Sequence, residues 1–401
     1  MGRMDSSLKM NVMLKCFYLC LCCLILVSCF SGKQEKQETT ESGEVLSYDN
    51  ALPLNRKYSD IFSRVEIVPL DTVDNFLISD IRQFRYVLNR IFVLSKEELL
   101  IFDRQGKGLA RINRYGQGRE EYLSVRGFDV SEKDSTICLL TYPQRLMYFS
   151  LDGTFLHEHK IEVKGTEMAI LPDESYAVFT DNLSLSEDED ISLLDIFNRN
   201  GKMRSFIEGY ENLGNRILPS FQQKRTFTHI QENDGVLFFH PLSNRIWSVS
   251  SIDSVRVKYT IDFGDNNPPV DAPEKVRQDV MLSDVVTKHW SVWGFNGCWE
   301  NERYLYIQTF VDKKLRDILF DKKEKQLYKG WMKDDLLRCQ KKPVEATDEY
   351  LVGFISTEDL IGLENYLKSK PDGEILPEQE KQMIDWAEEA GNPLVCFYYF
   401  K

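Results

Sequence analysis

Residues 91–122 read IFVLSKEELLIFDRQGKGLARINRYGQGREEY and hold three short runs suited to β-strands. The first two runs are Ile91–Leu94 and Leu99–Phe102, separated by a polar break. The polar corner Asp103–Gly106 follows, and the third run is Gly108–Ile112. Branched and aromatic residues favour strands, and short apolar runs bounded by turn residues are typical of antiparallel pairs. This stretch therefore predicts one antiparallel meander.

The same meander recurs along the chain. Polar corners like the first one begin at 103, 150, 198, 250 and 321, which are 47, 48, 52 and 71 residues apart by their numbers. A period near this length with three or four strands per unit is typical of propeller blades, because stacked sheets around a ring bury one another's faces. The sequence therefore predicts an all-β, six-bladed β-propeller; an open solenoid is the alternative.

A sixth blade is expected to come from both ends of the chain. Phe62–Leu70 supplies an early strand, and Tyr350–Ser356 and Leu394–Phe400 supply late ones. Joining these segments in one sheet would close the ring.

Two departures from the repeat predict short helical insertions. The first runs from Pro273 to about Trp290 and accounts for the longest interval. The second lies between Thr357 and Ala390 and predicts two helices, one capped by Thr357 and one beginning at Pro377.

Residues 1–28 resemble a lipoprotein signal peptide. Arg3, Lys9 and Lys15 precede an apolar core, Cys16–Val27, which is too short to span a bilayer as a helix. The motif Leu-Val-Ser-Cys ending at Cys29 resembles the bacterial lipobox, so Cys29 is the expected lipidation site and the membrane the expected partner. An ordinary cleaved signal with a chance cysteine is the alternative.

Residues 29–50 predict a flexible tether, and residues 51–401 the propeller. The stretch Ser31–Asn50 is polar and almost free of large apolar residues, so it is not expected to bury enough surface to fold. Phe30 stands where an aspartate is associated with retention in the inner membrane, which favours an outer-membrane lipoprotein. Whether the body faces the periplasm or the outside stays open.

Charge and cysteine content narrow the class further. The net charge of −13 argues against nucleic acid as a partner, because such proteins need clustered basic residues. Cys138, Cys298, Cys339 and Cys396 are widely separated, which favours buried free thiols over a disulfide.

The motif at 116–122 carries a family resemblance. The chain resembles the six-bladed β-propeller lipoproteins of Bacteroidetes, whose pattern here is Gly-Gln-Gly-Pro-Gly-Glu-Tyr. Gly116, Gln117, Gly118 and the final Glu-Tyr match, whereas Arg119 and Glu120 replace the Pro and the following Gly. Residues 392–395, Asn-Pro-Leu-Val, also look like that family's C-terminus. The resemblance implies the fold and an envelope location; the family has no established common reaction.

Two groups of residues are candidate ligand contacts. The loop containing Gln117, Glu121 and Tyr122 is a candidate for lining the mouth of the ring, and a structural turn is the alternative. Trp290, Trp293 and Trp299 form the densest aromatic cluster. Exposed aromatic rings suit sugars or flat apolar ligands, whereas core packing between blades is the alternative.

No local motif indicates catalysis, a metal or a cofactor. Neither a nucleophile elbow nor a zincin helix is present. His157 and His159 share one face of a strand without a third ligand nearby, and the acidic run 187–190 fits a solvated loop.

These observations favour a lipid-anchored envelope propeller that binds a ligand or a partner protein without catalysis. One rival is a propeller enzyme acting on carbohydrate or lactone substrates, with its His and carboxylate groups gathered from several blades. Another is a scaffold subunit of an outer-membrane uptake complex.

Overall fold

A computed structural model describes residues 43–73, 76–181, 192–199, 201–207, 226–230, 235–240, 243–268, 294–311, 314–337, 342–368, 378–389 and 391–401. The described part begins with β1 (Glu44–Ser47), β2 (Leu52–Leu54), helix α1 (Tyr58–Ile61) and β3 (Phe62–Pro69). The first two complete blades follow. Blade 1 contains β4 (Gln83–Val87), β5 (Arg90–Ser95), β6 (Glu98–Asp103) and β7 (Gly108–Ile112). Blade 2 contains β8 (Ser124–Ser131), β9 (Thr136–Tyr142), β10 (Arg145–Ser150) and β11 (Phe155–Lys160).

Four further sheets complete the set. Blade 3 contains β12 (Glu167–Ile170), β13 (Tyr176–Phe179), β14 (Leu194–Phe197) and β15 (Met203–Ser205). Blade 4 contains β16 (Phe227–His229), β17 (Val236–Phe238), β18 (Arg245–Ser251) and β19 (Ser254–Asp262). Blade 5 contains β20 (Phe295–Glu300), β21 (Tyr304–Val311), β22 (Lys314–Asp321) and β23 (Gln326–Gly330). Blade 6 contains β24 (Lys342–Ala346), β25 (Tyr350–Ile355), helices α2 (Thr357–Lys368) and α3 (Glu378–Glu389), and β26 (Leu394–Phe400).

The first strands of the six blades form a closed hub. Each contacts the first strand of the next blade, in the order β4, β8, β12, β16, β20, β24 and back to β4. The chain is therefore a six-bladed β-propeller, as the sequence predicts, and not an open solenoid. We call the side on which these first strands begin the start face, and the side on which they end the end face.

The first three of the repeated corners share one backbone structure. In blade 1 the Gly106 N–H donates to the Asp103 carbonyl, and the Gly153–Ser150 and Gly201–Asn198 pairs do the same in blades 2 and 3. All three glycines have a φ near +80°, a region that residues with a Cβ rarely adopt. The spacing of small polar residue and glycine is thus a requirement of the turn between the third and fourth strands.

The ring closes through strands from both ends of the chain, as predicted. In blade 6, β26 lies between β25 and β3, with Leu394 opposite Pro69 and Phe400 opposite Phe62. Strand β3, from the N-terminal part of the chain, is therefore the outermost strand of the last blade.

The N-terminal segment pairs with more blades than the sequence predicts. Strand β1 adds a fifth, parallel strand to blade 4 beside β19, and β2 does the same in blade 5 beside β23. Together with β3, this segment, which we call the strap (residues 44–69), edges three consecutive blades. Assigning residues up to 50 to a flexible tether was wrong for Glu44–Ser47, because these residues pair with Tyr259–Asp262.

The second helical insertion is confirmed and the first lies in residues that the structure does not describe. The side chain of Ser356, not Thr357, caps α2: its Oγ accepts the Asp359 N–H at 3.2 Å. The segment from Pro273 to Trp290 is outside the described residues.

Hydrophobic clusters fill the spaces between neighbouring blades. One cluster joins Phe92 and Leu99 of blade 1 to Phe128 and Leu139 of blade 2. Cys138 and Cys298 are buried free thiols in such positions, as predicted, and Cys396 is buried in one as well, whereas Cys339 lies outside the described residues.

Asn392 fastens the junction between blades 6 and 1. Its side chain is fully buried. The amide nitrogen donates to the carbonyls of Asp71 and Phe76 at 2.8 and 2.7 Å, and the amide oxygen accepts the Ile78 N–H at 2.9 Å. One side chain therefore satisfies main-chain groups along the whole connection from β3 to β4.

Replacing Asn392 with alanine is expected to lower the free energy of unfolding by about 2–3 kcal/mol, because buried main-chain groups lose their partner. Urea unfolding measures the change. The control Asn113→Ala removes an exposed amide and should cost about 0.5 kcal/mol or less. Equal effects of the two variants would contradict this role of Asn392.

A pocket at the hub as the candidate functional site

A pocket of about 810 Å³ opens where the first strands end. Five blades contribute to its wall: residues 85–89 from blade 1, 130–133 from blade 2, 170–174 from blade 3, 229, 230 and 235 from blade 4, and 345–350 from blade 6. Polar atoms form the larger part of the wall. The pocket therefore lies at the end face, over the hub, and its size is that of a small-molecule site.

A buried network of charges forms the floor of the pocket. The Arg85 guanidinium donates from Nε to Asp129 Oδ1 at 3.1 Å, and its Nη1 makes an ion pair with Glu345. His229 places Nε2 3.0 Å from Asp129 Oδ2. Arg85, Asp129 and Glu345 are nearly inaccessible to solvent, whereas the His229 side chain is 21% exposed. The network thus links blades 1, 2, 4 and 6.

Side chains of the first strands also bind the main chain of the next blade. The contacts are Gln83 Oε1 with the Phe128 N–H, Asp129 Oδ2 with the Ile170 N–H, Glu167 Oε2 with the Thr226 N–H, Thr228 Oγ1 with the Cys298 carbonyl, and Glu345 Oε2 with the Tyr86 N–H. Five of the six blade junctions are joined in this way within the described residues. The floor of the pocket is therefore held in one arrangement before any ligand arrives.

The network shifts the pKa values of its members. Burial alone would raise the pKa of Asp129, but His229 and Arg85 oppose it and the pKa of Asp129 lies well below its ordinary value. Burial alone would lower the pKa of Arg85, but Glu345, Asp129 and Glu132 raise it above its ordinary value. Both groups are thus charged at neutral pH.

Acidification is expected to weaken the fold through Asp129. Because its pKa is lower in the folded than in the unfolded state, its contribution is present above the unfolded value of about 4 and is lost as pH falls toward the folded pKa. Urea unfolding at pH 7, 5 and 3 should show a smaller loss in Asp129→Asn than in the unmodified protein. Parallel losses in the two proteins would contradict the assignment.

The loop at 113–122 is a rigid turn and does not line this pocket. It leads into the start of β8, whereas the end of β8 lines the pocket. Glu121 Oε2 accepts the Gly118 N–H at 2.6 Å, and a Cβ on Gly116 would collide with that carboxylate. Gln117 is exposed at the start face. The alternative of a structural turn therefore describes the role of Glu121 best.

Tyr122 is a packing residue. Its ring is fully buried between blades 1 and 2, and its hydroxyl donates to the Glu97 carbonyl at 2.7 Å. Burial raises the pKa of Tyr122 to about 12. The expectation of a ligand contact at Tyr122 is corrected for this reason.

Trp299 is also a core residue. It is 3% exposed and stacks on Tyr306, with ring centroids 5.0 Å apart, beside Phe400 of blade 6. Its ring offers no face to a ligand, because the space beside it is filled. Trp290, Trp293 and Cys29 lie outside the described residues, so the roles expected of them stay predictions.

Sequence reasoning missed the four residues of the floor. A weak signal was present in the sequence, since each of the four is a charged or titratable residue with at least one apolar or aromatic neighbour in the first strand of a blade. They are Arg85, Asp129, His229 and Glu345. The more regular signal, the corners between third and fourth strands, lies in the outer parts of the blades.

The described residues contain no group of three His, Cys, Asp or Glu side chains arranged to hold a metal ion. His157 stacks on Tyr148 with ring centroids 4.4 Å apart, next to His159. Within the described ranges, no helix has the length and apolarity needed to cross a membrane.

The fold and the hub pocket define a six-bladed propeller with a ligand-sized cavity. The family described as "Domain of unknown function (DUF4934)" matches residues 46–399, and the chain belongs to this family. No curated protein sequence matches the chain.

Two solved structures are similar. The crystal structure of a "Putative exported protein" from Bacteroides fragilis NCTC 9343 superposes with a TM-score of 0.69 at 16% identity, covering 90% of this chain and 100% of that one. A member of the duf4221 family from Bacteroides vulgatus gives a TM-score of 0.46 at 10% identity, covering 84% of this chain and 96% of that one. The first likeness supports the propeller fold.

Proposed function

We propose that the protein is a lipid-anchored propeller of the cell envelope that binds a polar ligand in the hub pocket without transforming it. The observation that carries this proposal is the pocket of about 810 Å³ whose floor is a buried network joining four blades. Polar groups that are already fixed at the base of a concave site favour specific recognition, because binding then does not have to order these side chains.

A thermal-shift screen with glycans and metabolites tests the binding step. A ligand should raise the melting temperature of the unmodified protein, since it binds only the folded state. Lys133→Trp places a large ring at the exposed rim of the pocket and should abolish that rise. Lys160→Trp, on the outer strand of blade 2, should leave it intact. A ligand that stabilises both variants equally would place binding elsewhere.

The location rests on the lipobox-like motif ending at Cys29 and on the exported relative of similar fold. We expect Cys29→Ala to move the protein from the membrane fraction to the soluble fraction and to abolish incorporation of a labelled fatty acid, because acyl chains supply the membrane affinity. Cys23→Ala, in the same leader, should change neither. Membrane retention of the Cys29→Ala protein would contradict the anchor.

One observation favours the rival enzyme, namely the contact of His229 with a buried carboxylate at the pocket wall. Two features weaken it. The nitrogen that meets Asp129 is Nε2, at the tip of the ring, and both Asp129 and Glu345 are already bound to Arg85. His229→Gln separates the two functions: a binding protein should keep its ligand, whereas a carbohydrate or lactone hydrolase using this imidazole should lose turnover.

Exposed aromatic residues at the start face favour the scaffold alternative. Tyr115, Tyr142 and Trp331 are 64%, 44% and 55% exposed. Tyr142 is the last residue of β9, and the other two follow β7 and β23; all three strands end at this face. Exposed aromatic residues are common at protein interfaces. Assembly through this face would leave the hub pocket free, so the two functions are compatible.

A further inference from the structure

The positive charges of the hub pocket are all committed to partners. Besides His229, the described part of the wall contains two basic side chains, Arg85 and Lys133. Arg85 is bound by Asp129 and Glu345, and Lys133 makes an ion pair with Glu174. An anionic ligand would therefore have to displace a carboxylate of the protein to reach either cation.

The negative charges exceed the positive ones. Among the described residues, Glu132, Glu174 and Glu345 line the pocket against Arg85 and Lys133, a net charge of −1. Asp129, directly beneath the wall, makes the net charge −2 when His229 is counted as neutral. The Glu132 side chain is exposed at the rim, and among the described residues no basic group lies within ion-pair distance of it. Its charge nevertheless reaches the interior, because it acts on Arg85.

An aromatic pair stands on the same wall. The rings of Tyr86 and Tyr350 meet edge to face, with centroids 5.7 Å apart and planes at 68°. Both residues line the pocket. Tyr86 is buried against Phe397, with the Arg104 guanidinium 5.8 Å from its ring centroid, whereas Tyr350 is half-buried and provides the accessible ring. The faces of aromatic rings attract ammonium and guanidinium groups, and the attraction grows where water is partly excluded.

The pocket is also far too large for a bare ion. Its volume of about 810 Å³ fits an organic molecule, and no three ligating side chains converge there among the described residues. The volume, the net charge and the aromatic wall of the pocket together therefore restrict the class of ligand.

We propose that the ligand of the hub pocket is an organic cation, whose ammonium or guanidinium group binds between Glu132 and the ring of Tyr350. This inference rests on the proposed function, since it names the ligand class of the same site. It assigns Glu132 as the residue that selects charge, while Arg85, Asp129 and Glu345 hold the floor in place.

A pair of nearly isosteric probes tests the charge preference. N-acetyl-arginine amide carries a guanidinium, and N-acetyl-citrulline amide replaces it with a neutral urea group of the same shape. Calorimetric titration of the purified full-length protein should give about tenfold tighter binding of the arginine probe, the sum of a rim ion pair and a cation–π contact.

Variants assign the effect to a residue. Glu132→Gln should weaken the arginine probe about three- to fivefold and leave the citrulline probe unchanged, because an exposed ion pair contributes modestly. Glu162→Gln makes the same change of charge in the connection between β11 and β12, at the start face, and should alter neither affinity. Equal affinities for the two probes, or no binding of either, overturn the proposal.

The outcomes separate this inference from the proposed function. A neutral or anionic ligand that loses binding in Lys133→Trp would overturn the preference for cations and keep the pocket as the binding site. A ligand that binds Lys133→Trp as tightly as the unmodified protein would overturn both.

Discussion

Arg85→Met is expected to lower the free energy of unfolding by about 3–5 kcal/mol. The substitution keeps much of the aliphatic volume but removes the guanidinium that lies between Asp129 and Glu345. Two buried carboxylates then face each other across the hub without a cation, and burial of an uncompensated charge is among the costliest single changes in a protein. Urea unfolding followed by tryptophan fluorescence measures the loss.

A neutralised network provides the control. Combining Arg85→Met with Asp129→Asn and Glu345→Gln removes the unpaired charges and should recover part of the lost stability, because uncharged amides cost less to bury than carboxylates. Arg119→Met, at an exposed position of the loop before β8, should cost about 0.5 kcal/mol or less. If the triple variant is no more stable than Arg85→Met, unpaired charge is not the cause of the loss.

Phe62→Ala is expected to cost about 3–5 kcal/mol, because it empties a fully buried site at the closure of the ring. Phe62 is 1% exposed and lies opposite Phe400 in the pairing of β3 with β26. Its ring is 4.9 Å from that of Phe400 and 5.4 Å from that of Tyr398, centroid to centroid. Removing the ring therefore weakens the contact between the two ends of the chain.

Hydrogen exchange distinguishes this effect from a general loss of packing. In Phe62→Ala the amides of β3 and β26 should exchange faster than those of blades 2 and 3, since opening starts at the weakened sheet. Phe62→Leu refills most of the volume and should cost about 1.5 kcal/mol or less. Uniformly faster exchange around the whole ring would show that closure is not the point of weakness.

The fold could be predicted because its signals are local and repeated. The corners at Asp103–Gly106, 150–153 and 198–201 contain the polar residue and the glycine that their turn needs, and the regular spacing of the corners indicates the blades. The closing sheet was also predictable, since Phe62–Leu70 and Leu394–Phe400 are apolar runs of strand length without another partner.

The outer strands β1 and β2 carried no comparable signal. They have four and three residues, and β2 contains Pro53, which central strands exclude and edge strands tolerate. Their partners are strands of blades 4 and 5, more than 200 residues away. Pairing over such a distance is decided by the finished ring and not by the local sequence.

The pocket floor was hidden for a related reason. Arg85, Asp129, His229 and Glu345 belong to four different blades, and only the ring brings them together. The aromatic cluster gave the opposite kind of error, an expected ligand contact at a residue that packs in the core. Trp299 is conspicuous in the sequence because a blade interface needs a large apolar side chain at its position.

The strap also sets an order in which its strands can pair. The partner of β1 ends at residue 262, the partner of β2 at residue 330 and the partner of β3 at residue 400. Each strand of the strap can therefore pair only after the chain up to that residue is present. The earliest described part of the chain is thus added to the outside of the molecule stepwise, with β1 first and β3 last. Until then its backbone donors and acceptors are unpaired, and a nascent chain in this state is a natural client for a chaperone that holds extended segments.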